Sequence, residues 1–227
     1  MTGDSKAADE WREAYQRVAE LSRQAGDSGM VATVPSTPDW SARDLLAHMV
    51  GVGSDALTGD VPDDLNPEWT QGHIEQRSDS SVEELLTEWE GKAEAIEDVV
   101  RTQDTGPLGD VIIHEQDLRG ALGQPGARDT LGLDLVRHDM LEMLDDAVEE
   151  SLAPLSLRST DSDWSWTSTG SGAPGAVVEA PLYDLTRAVI SRRTEGQLRQ
   201  WTTTGDVTAY LPAFAHLGDL PPEALPE

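Results

Sequence analysis

The stretch Thr37-Pro-Asp-Trp-Ser-Ala-Arg-Asp-Leu-Leu-Ala-His48 changes character half-way along. Pro35, just upstream, and Pro38 fix their own φ and push the residues before them toward extended backbone, so the first half reads as extended. Ser41 or Asp39 can then cap a helix, with Asp44 available in its first turn. Leu45, His48, Met49 and Val52 follow on one face at helical spacing, which turns His48 inward. The stretch is therefore an entry into a buried helix that carries a histidine toward the core.

Upstream, residues from about Asp4 to Ala25 predict a helix, because Trp11, Ala14, Tyr15, Val18 and Leu21 form one apolar stripe. Asp27-Ser-Gly29 ends it. Downstream, residues from about Gly53 to Ser80 are rich in Gly, Pro, Asp and Asn. They read as a long connection with one short helix near Trp69 to Gln76, and connections of that length are uncommon without a function. Ser81-Val-Glu-Glu84 is a capping box that opens a long helix to about Thr102. Val82, Leu85, Leu86, Trp89, Ala93, Ile96, Val99 and Val100 are its expected buried face. Gly106-Pro107 breaks the chain. A further helix is expected from about Leu108 to Leu122, stopped by Gly123 with Pro125 beyond, and a fifth from about Leu131 to Leu152.

After Pro154 the texture changes. Leu155–Ser159, Trp164–Thr167 and Ala176–Glu179 are short, alternating and bounded by Gly and Ser, and read as strands. Pro181 starts a helix running to about Arg192, and a last helix is expected near Val207 to His216. The expectation is a mainly α protein: a helical part over residues 1–153 and a small α+β part over residues 154–227.

The composition narrows the function classes. Against 43 acidic residues stand 16 basic ones, a formal net charge of −27, and Lys6 and Lys92 are the only lysines. Such a surface repels nucleic acid and an anionic membrane face alike. It also fits a salt-tolerant host, where screening relieves self-repulsion. There is no cysteine, so no disulfide, thiolate ligand or cysteine nucleophile exists, and any thiol chemistry needs a thiol from outside. The polar, acidic start lacks the pattern of a signal peptide, and no apolar run is long enough to span a bilayer, which predicts a cytoplasmic protein. Phosphate-loop, dinucleotide and nucleophile-elbow motifs are absent.

Two of the five histidines have chemically useful company. Asp110 precedes His114 by four residues, so both project from one helical face about a turn apart. A carboxylate and an imidazole at that spacing are half of a metal site, and His48 from a facing helix would add a third ligand, as helical bundles build such sites. Three protein ligands leave one position open, the pattern of a catalytic metal. By itself an Asp-x-x-x-His pair is also a common surface ion pair. Asp117 could orient His114 from behind, or pair only with Arg119 or Arg128. Glu115 is expected to point elsewhere. His73, His138 and His216 read as ordinary polar or boundary residues, and Trp40 could wall a pocket.

The segment ending in His48 resembles the hallmark of the DinB-like and mycothiol-dependent maleylpyruvate isomerase families, in which a Pro-Gly-Trp-Thr-x-Arg-Asp-Leu-x-x-His pattern delivers the first metal-binding histidine. Asp110-Val-Ile-Ile-His-Glu-Gln-Asp-Leu-Arg-Gly-Ala-Leu-Gly123 is similar to the second hallmark, an acidic residue or histidine, then three residues, then His-x-x-Asp ahead of an Ala-Leu-Gly turn. Trp164-Ser-Trp, the Pro181-led helix and Arg192-Arg193 resemble the small α+β domain often fused to that bundle. The resemblance implies a DinB-like four-helix bundle and a divalent metal, commonly zinc, held by His48, Asp110 and His114. It implies mycothiol as thiol cosubstrate at the open position, and a small electrophilic substrate. Its substrate-gripping arginine would correspond to Arg192 or Arg193. The chain departs from the isomerase at Asp110, where the isomerase carries glutamate. With one methylene fewer, the metal must sit closer to that helix or be held through water.

Two function classes follow: a metal-dependent thiol transferase or isomerase, and a non-catalytic metal- or small-molecule-binding protein on the same scaffold. A third is an interaction protein with an empty site. Oligomeric state is open, a homodimer included.

Overall fold

The computed structural model describes residues 5–62 and 67–227, so Asp4, the expected start of the first helix, lies outside the described residues. The chain divides into two compact units, one reaching to Gly132 and including Pro226–Glu227, the other spanning Leu133–Leu225.

In the first unit, α1 (Ser5–Gly29), α2 (Ala42–Thr58), α4 (Val82–Thr102) and α5 (Gly106–Leu122) form a four-helix bundle, with α3 (Pro67–Gln76) laid against α2. Both α1 and α2 pack on α4 and on α5. The apolar stripes anticipated on α1 and α4 are the buried ones: Trp11, Ala14, Tyr15, Val18 and Leu21 meet Leu85, Leu86, Trp89 and Ile96 in the core. Trp11 stacks on Tyr15 at 5.5 Å, and both present edges to Trp89 at 6.4 and 4.9 Å. Each such pair adds about 0.5–1.5 kcal/mol beyond its buried area. Helix α1 runs past its expected stop at Ala25 because the backbone kinks at Gly26 (φ 59°, ψ 177°) and resumes for a further turn.

Before α2 the extended half of the opening stretch becomes a small hairpin, β1 (Thr33–Val34) with β2 (Thr37–Ser41). Of the two candidate caps, Ser41 is the one used. Its hydroxyl accepts from the Asp44 amide at 3.2 Å while the Asp44 carboxylate accepts from the Ser41 amide at 3.0 Å. Helix α2 also runs past Gly53, to Gly59 in the left-handed conformation. The expected connection from Gly53 to Ser80 is therefore much shorter, because Gly53 is a packing glycine and not a breaker. A Cβ there would stand 2.7 Å from Ile96 Cδ1. No helix among the described residues is long and apolar enough to cross a membrane.

In the second unit, four strands make a sheet of order β4-β3-β5-β6: β3 (Leu155–Ser159), β4 (Ser165–Thr167), β5 (Ala176–Ala180) and β6 (Thr202–Gly205). The central pair β3/β5 is parallel and both edge pairs are antiparallel. The three expected strands are present. Helix α6 (Leu131–Ala147) ends earlier than Leu152, and most of it belongs to this unit. Its Arg137 donates to Thr186 Oγ1 at 3.1 Å and lies 5.1 Å over the Trp164 ring. Helix α7 (Leu182–Val189) covers β3 and β5 and stops short of Arg192, because the chain turns at Ser191 with φ 60°. The sequence reading missed α8 (Glu195–Trp201), whose capping box Thr194/Gln197 is the signal it left unused, and the edge strand β6. In place of one last helix, a 3-10 turn (Val207–Tyr210) leads into the short α9 (Leu211–Phe214).

His216 closes this unit with its Nε2–H donating to the Val189 carbonyl at 2.6 Å, while its Nδ1 is buried without a hydrogen-bond partner. Burial lowers its pKa from the ordinary imidazole value, against a smaller opposing pull from the Val189 bond. Between the lowered value and about 6.5 the unfolded chain binds more protons than the folded one at this residue. Its contribution is thus fully present above about pH 6.5 and falls as the pH drops toward the folded value. Urea midpoints measured at pH 7.5 and 5.5 are expected to fall further in the wild type than in His216→Gln. Equal slopes would show that His216 titrates normally.

Candidate metal centre

Helix α2 holds the first candidate ligand firmly. Besides the Ser41 cap, Arg43 donates to the carbonyls of Arg77, Ser78 and Ser80, which ties the start of α2 to the turn after α3. Two turns on, His48 is 4% exposed. Across from it, α5 places Asp110 and His114 one turn apart, as the four-residue spacing requires. His48 Nε2 lies 3.1 Å from Asp110 Oδ1, and His114 Nε2 lies 3.5 Å from the same oxygen. The three donor atoms all fall within 4.8 Å of one another. The bundle, by packing α2 on α5, brings together what 62 residues of chain separate.

This donor set fits a divalent transition metal. Two imidazoles and one carboxylate are a catalytic zinc set, and tetrahedral bonds of about 2.0–2.1 Å put neighbouring donors about 3.3–3.4 Å apart. The distances of 3.1 and 3.5 Å bracket that figure. The aspartate, one methylene shorter than a glutamate, still brings Oδ1 to such a distance from both imidazoles.

The electrostatics suit a cation as well. Burial raises the Asp110 carboxyl, but the charges of His48 and His114 and the bond from His48 outweigh it and leave the pKa below the ordinary carboxylate value. Burial holds the His48 imidazole below its ordinary value, against the opposing charge of Asp110. Both shifts run toward the deprotonated forms that a metal requires.

The residues around the trio divide into expected and unexpected. Asp117, 2% exposed, sits with Oδ2 3.1 Å from His114 Nδ1. Glu115 points away, as expected. It is buried and accepts from Arg17 at 2.9 and 2.8 Å and from Arg119 at 3.0 and 2.9 Å. The Trp40 ring lies 5.3 Å from the His48 ring.

His73 overturns its reading as an ordinary polar residue. It is 2% exposed, and its Nδ1 lies 3.1 Å from His48 Nδ1. Its Nε2 lies 2.9 Å from Asp55 Oδ2, which also accepts from the Trp69 indole at 2.7 Å. The missed signal was on α2: His48, Gly51 and Asp55 share one helical face, with a glycine where a side chain would bar an approaching residue. His138 is largely exposed, in keeping with its reading.

In the second unit, Arg193 is 4% exposed, binds Asp184 Oδ1 through Nε at 3.0 Å and Nη2 at 2.8 Å, and lies 5.7 Å over the Tyr183 ring. Arg192 Nη1 donates to the Ile190 carbonyl at 3.2 Å. The Arg193 guanidinium is thus already engaged within its own unit.

Residues 11–112 match the family described as the mycothiol maleylpyruvate isomerase N-terminal domain. The helical unit belongs to that family. The match takes in His48 and Asp110, and His114 lies two residues beyond its end. Two crystal structures of the mycothiol-dependent maleylpyruvate isomerase share the fold. One, a histidine-to-alanine mutant, is 15% identical, with a TM-score of 0.55 over 89% of this chain and 94% of that one. The other is 16% identical, with a TM-score of 0.52 over 82% and 88%. At this identity the likeness is one of fold: a mainly α architecture with a small α+β part. A comparison with curated protein sequences gives no match.

Proposed function

We propose that this protein is a metal-dependent thiol transferase or isomerase, using mycothiol as cosubstrate on a small electrophile. The observation that carries the reading is the convergence of His48, Asp110 and His114 in a chain whose residues 11–112 match the mycothiol maleylpyruvate isomerase N-terminal domain. A bound divalent cation, zinc by the chemistry of the donor set, would favour the thiolate form of a coordinated thiol. The chain's own residues hold the site. His48 and His114 offer ring nitrogens, Asp110 offers a carboxylate oxygen, and Asp117 fixes the His114 ring through Nδ1. In net terms, isomerisation of a conjugated double bond returns the thiol unchanged, whereas transfer adds sulfur and hydrogen across it. The absence of cysteine accords with a borrowed nucleophile. The high acidic charge disfavours nucleic acid and anionic membranes as partners, and the reading places the enzyme in the cytoplasm with its soluble thiol. For substrate binding, Arg192 and Arg193 are the candidate arginines, the first donating to the Ile190 carbonyl and the second paired with Asp184.

The test is elemental analysis of protein purified without a histidine tag, followed by calorimetry with mycothiol. About one divalent metal per chain is expected, with thiol binding that a chelator abolishes. Protein free of metal after zinc dialysis would overturn the reading. Metal without thiol binding would leave a metal-binding protein on the same scaffold.

A further inference from the structure

We infer that His73 and Asp55 form a positioning relay that sets which nitrogen of His48 faces the metal. The inference rests on the metal reading above. Coordination through His48 Nε2 leaves Nδ1 as the place for that ring's proton. Nδ1 faces His73 Nδ1 at 3.1 Å, and two Nδ1 atoms at that distance hydrogen-bond only if one donates and the other accepts. With His48 donating, His73 must carry its own proton on Nε2. That atom faces Asp55 Oδ2 at 2.9 Å, an acceptor with no proton to offer when ionised. The order is therefore consistent from end to end: Asp55 carboxylate, His73 Nε2–H, His73 Nδ1, His48 Nδ1–H, His48 Nε2.

Metal-binding histidines commonly hold their rings through a carboxylate or carbonyl directly. Here a second imidazole stands between, and the carboxylate is one residue further out. His114 is held by Asp117 in the direct way. The relay is also built into the packing. The indole of Trp69 fixes Asp55 from α3, and Gly51 leaves the space that the His73 ring occupies.

The decisive variants are His73→Leu, which removes the acceptor, and His73→Asn, whose Oδ1 can take the place of Nδ1. Zinc affinity is measured by chelator competition. His73→Leu is expected to bind zinc about 10–100-fold more weakly, the range for losing an outer-shell partner, and His73→Asn to recover most of that loss. In zinc-loaded wild type, nitrogen NMR of the imidazoles should place the His73 proton on Nε2 and the His48 proton on Nδ1. Unchanged affinity in a folded His73→Leu, or a His73 proton on Nδ1, would overturn the relay and leave the metal site standing. If His73→Leu fails to fold, the asparagine variant and the spectra decide. Wild type that takes up no zinc would overturn the metal reading, and the relay with it, before any variant is compared.

Discussion

Protein carrying His48→Ala is expected to emerge from purification without metal. His48 is the only candidate ligand supplied by α2, and the other two project from a single face of α5. Two donors one helical turn apart cannot enclose a cation, which would then be held on one side by protein and on the other by water. The loss should exceed the roughly 100-fold that follows removal of an outer-shell partner. His114→Ala should behave alike, with the further effect of leaving the buried Asp117 without its imidazole. Elemental analysis checks both. Because the ligands lie at the bundle's inner face and not in its main apolar contacts, far-UV circular dichroism should stay helical. Stoichiometric metal retained by either variant would show that the ion, if any, is held elsewhere.

The second large effect is expected from Gly51→Ala. A Cβ at position 51 would lie 2.3 Å from Cγ, 2.4 Å from Cδ2 and 2.6 Å from Cβ of His73. The last of these distances matters most. A flexible chain end could swing aside, but the Cβ of His73 is attached to the α3 backbone, so the helix itself must retreat. It cannot do so freely, because Arg77 at its end binds Glu88 of α4 at 2.8 and 3.1 Å and Arg43 grips the turn beyond. Overpacking of this kind costs about 1–3 kcal/mol. For a chain of this size each kcal/mol lowers the melting temperature by about 2–4 °C. The same retreat draws His73 from His48, so zinc affinity should fall along with stability. A melting temperature equal to wild type would mean that α3 accommodates the methyl group without moving.

Both expectations turn on residues of different legibility. His48 was readable because two prolines, a capping serine and an apolar spacing all pointed to a helix entry with one inward face. Asp110 and His114 were readable as a pair because four residues make one turn. Gly53 was misread as the start of a connection because glycine in a helix normally costs stability. Here the space beside Ile96 repays it, and that space belongs to another helix. His73 was invisible for a similar reason. It lies 25 residues from His48, on a short helix whose packing no local pattern declares.

Local spacing was enough for the main helices of the bundle, the inward turn of His48 and the pairing of Asp110 with His114, since each depends on periodicity within one helix. The sequence also determined that any thiol must come from outside. Packing between helices sets α2 against α5 with the three donor atoms within 4.8 Å, gives Glu115 to Arg17 and Arg119, and puts Asp55 and His73 behind His48. Helical periodicity fixes which side chains share a face. Which faces meet depends on side-chain volumes across the whole bundle, and there a missing Cβ at Gly51 counts as much as the imidazole that fills its place.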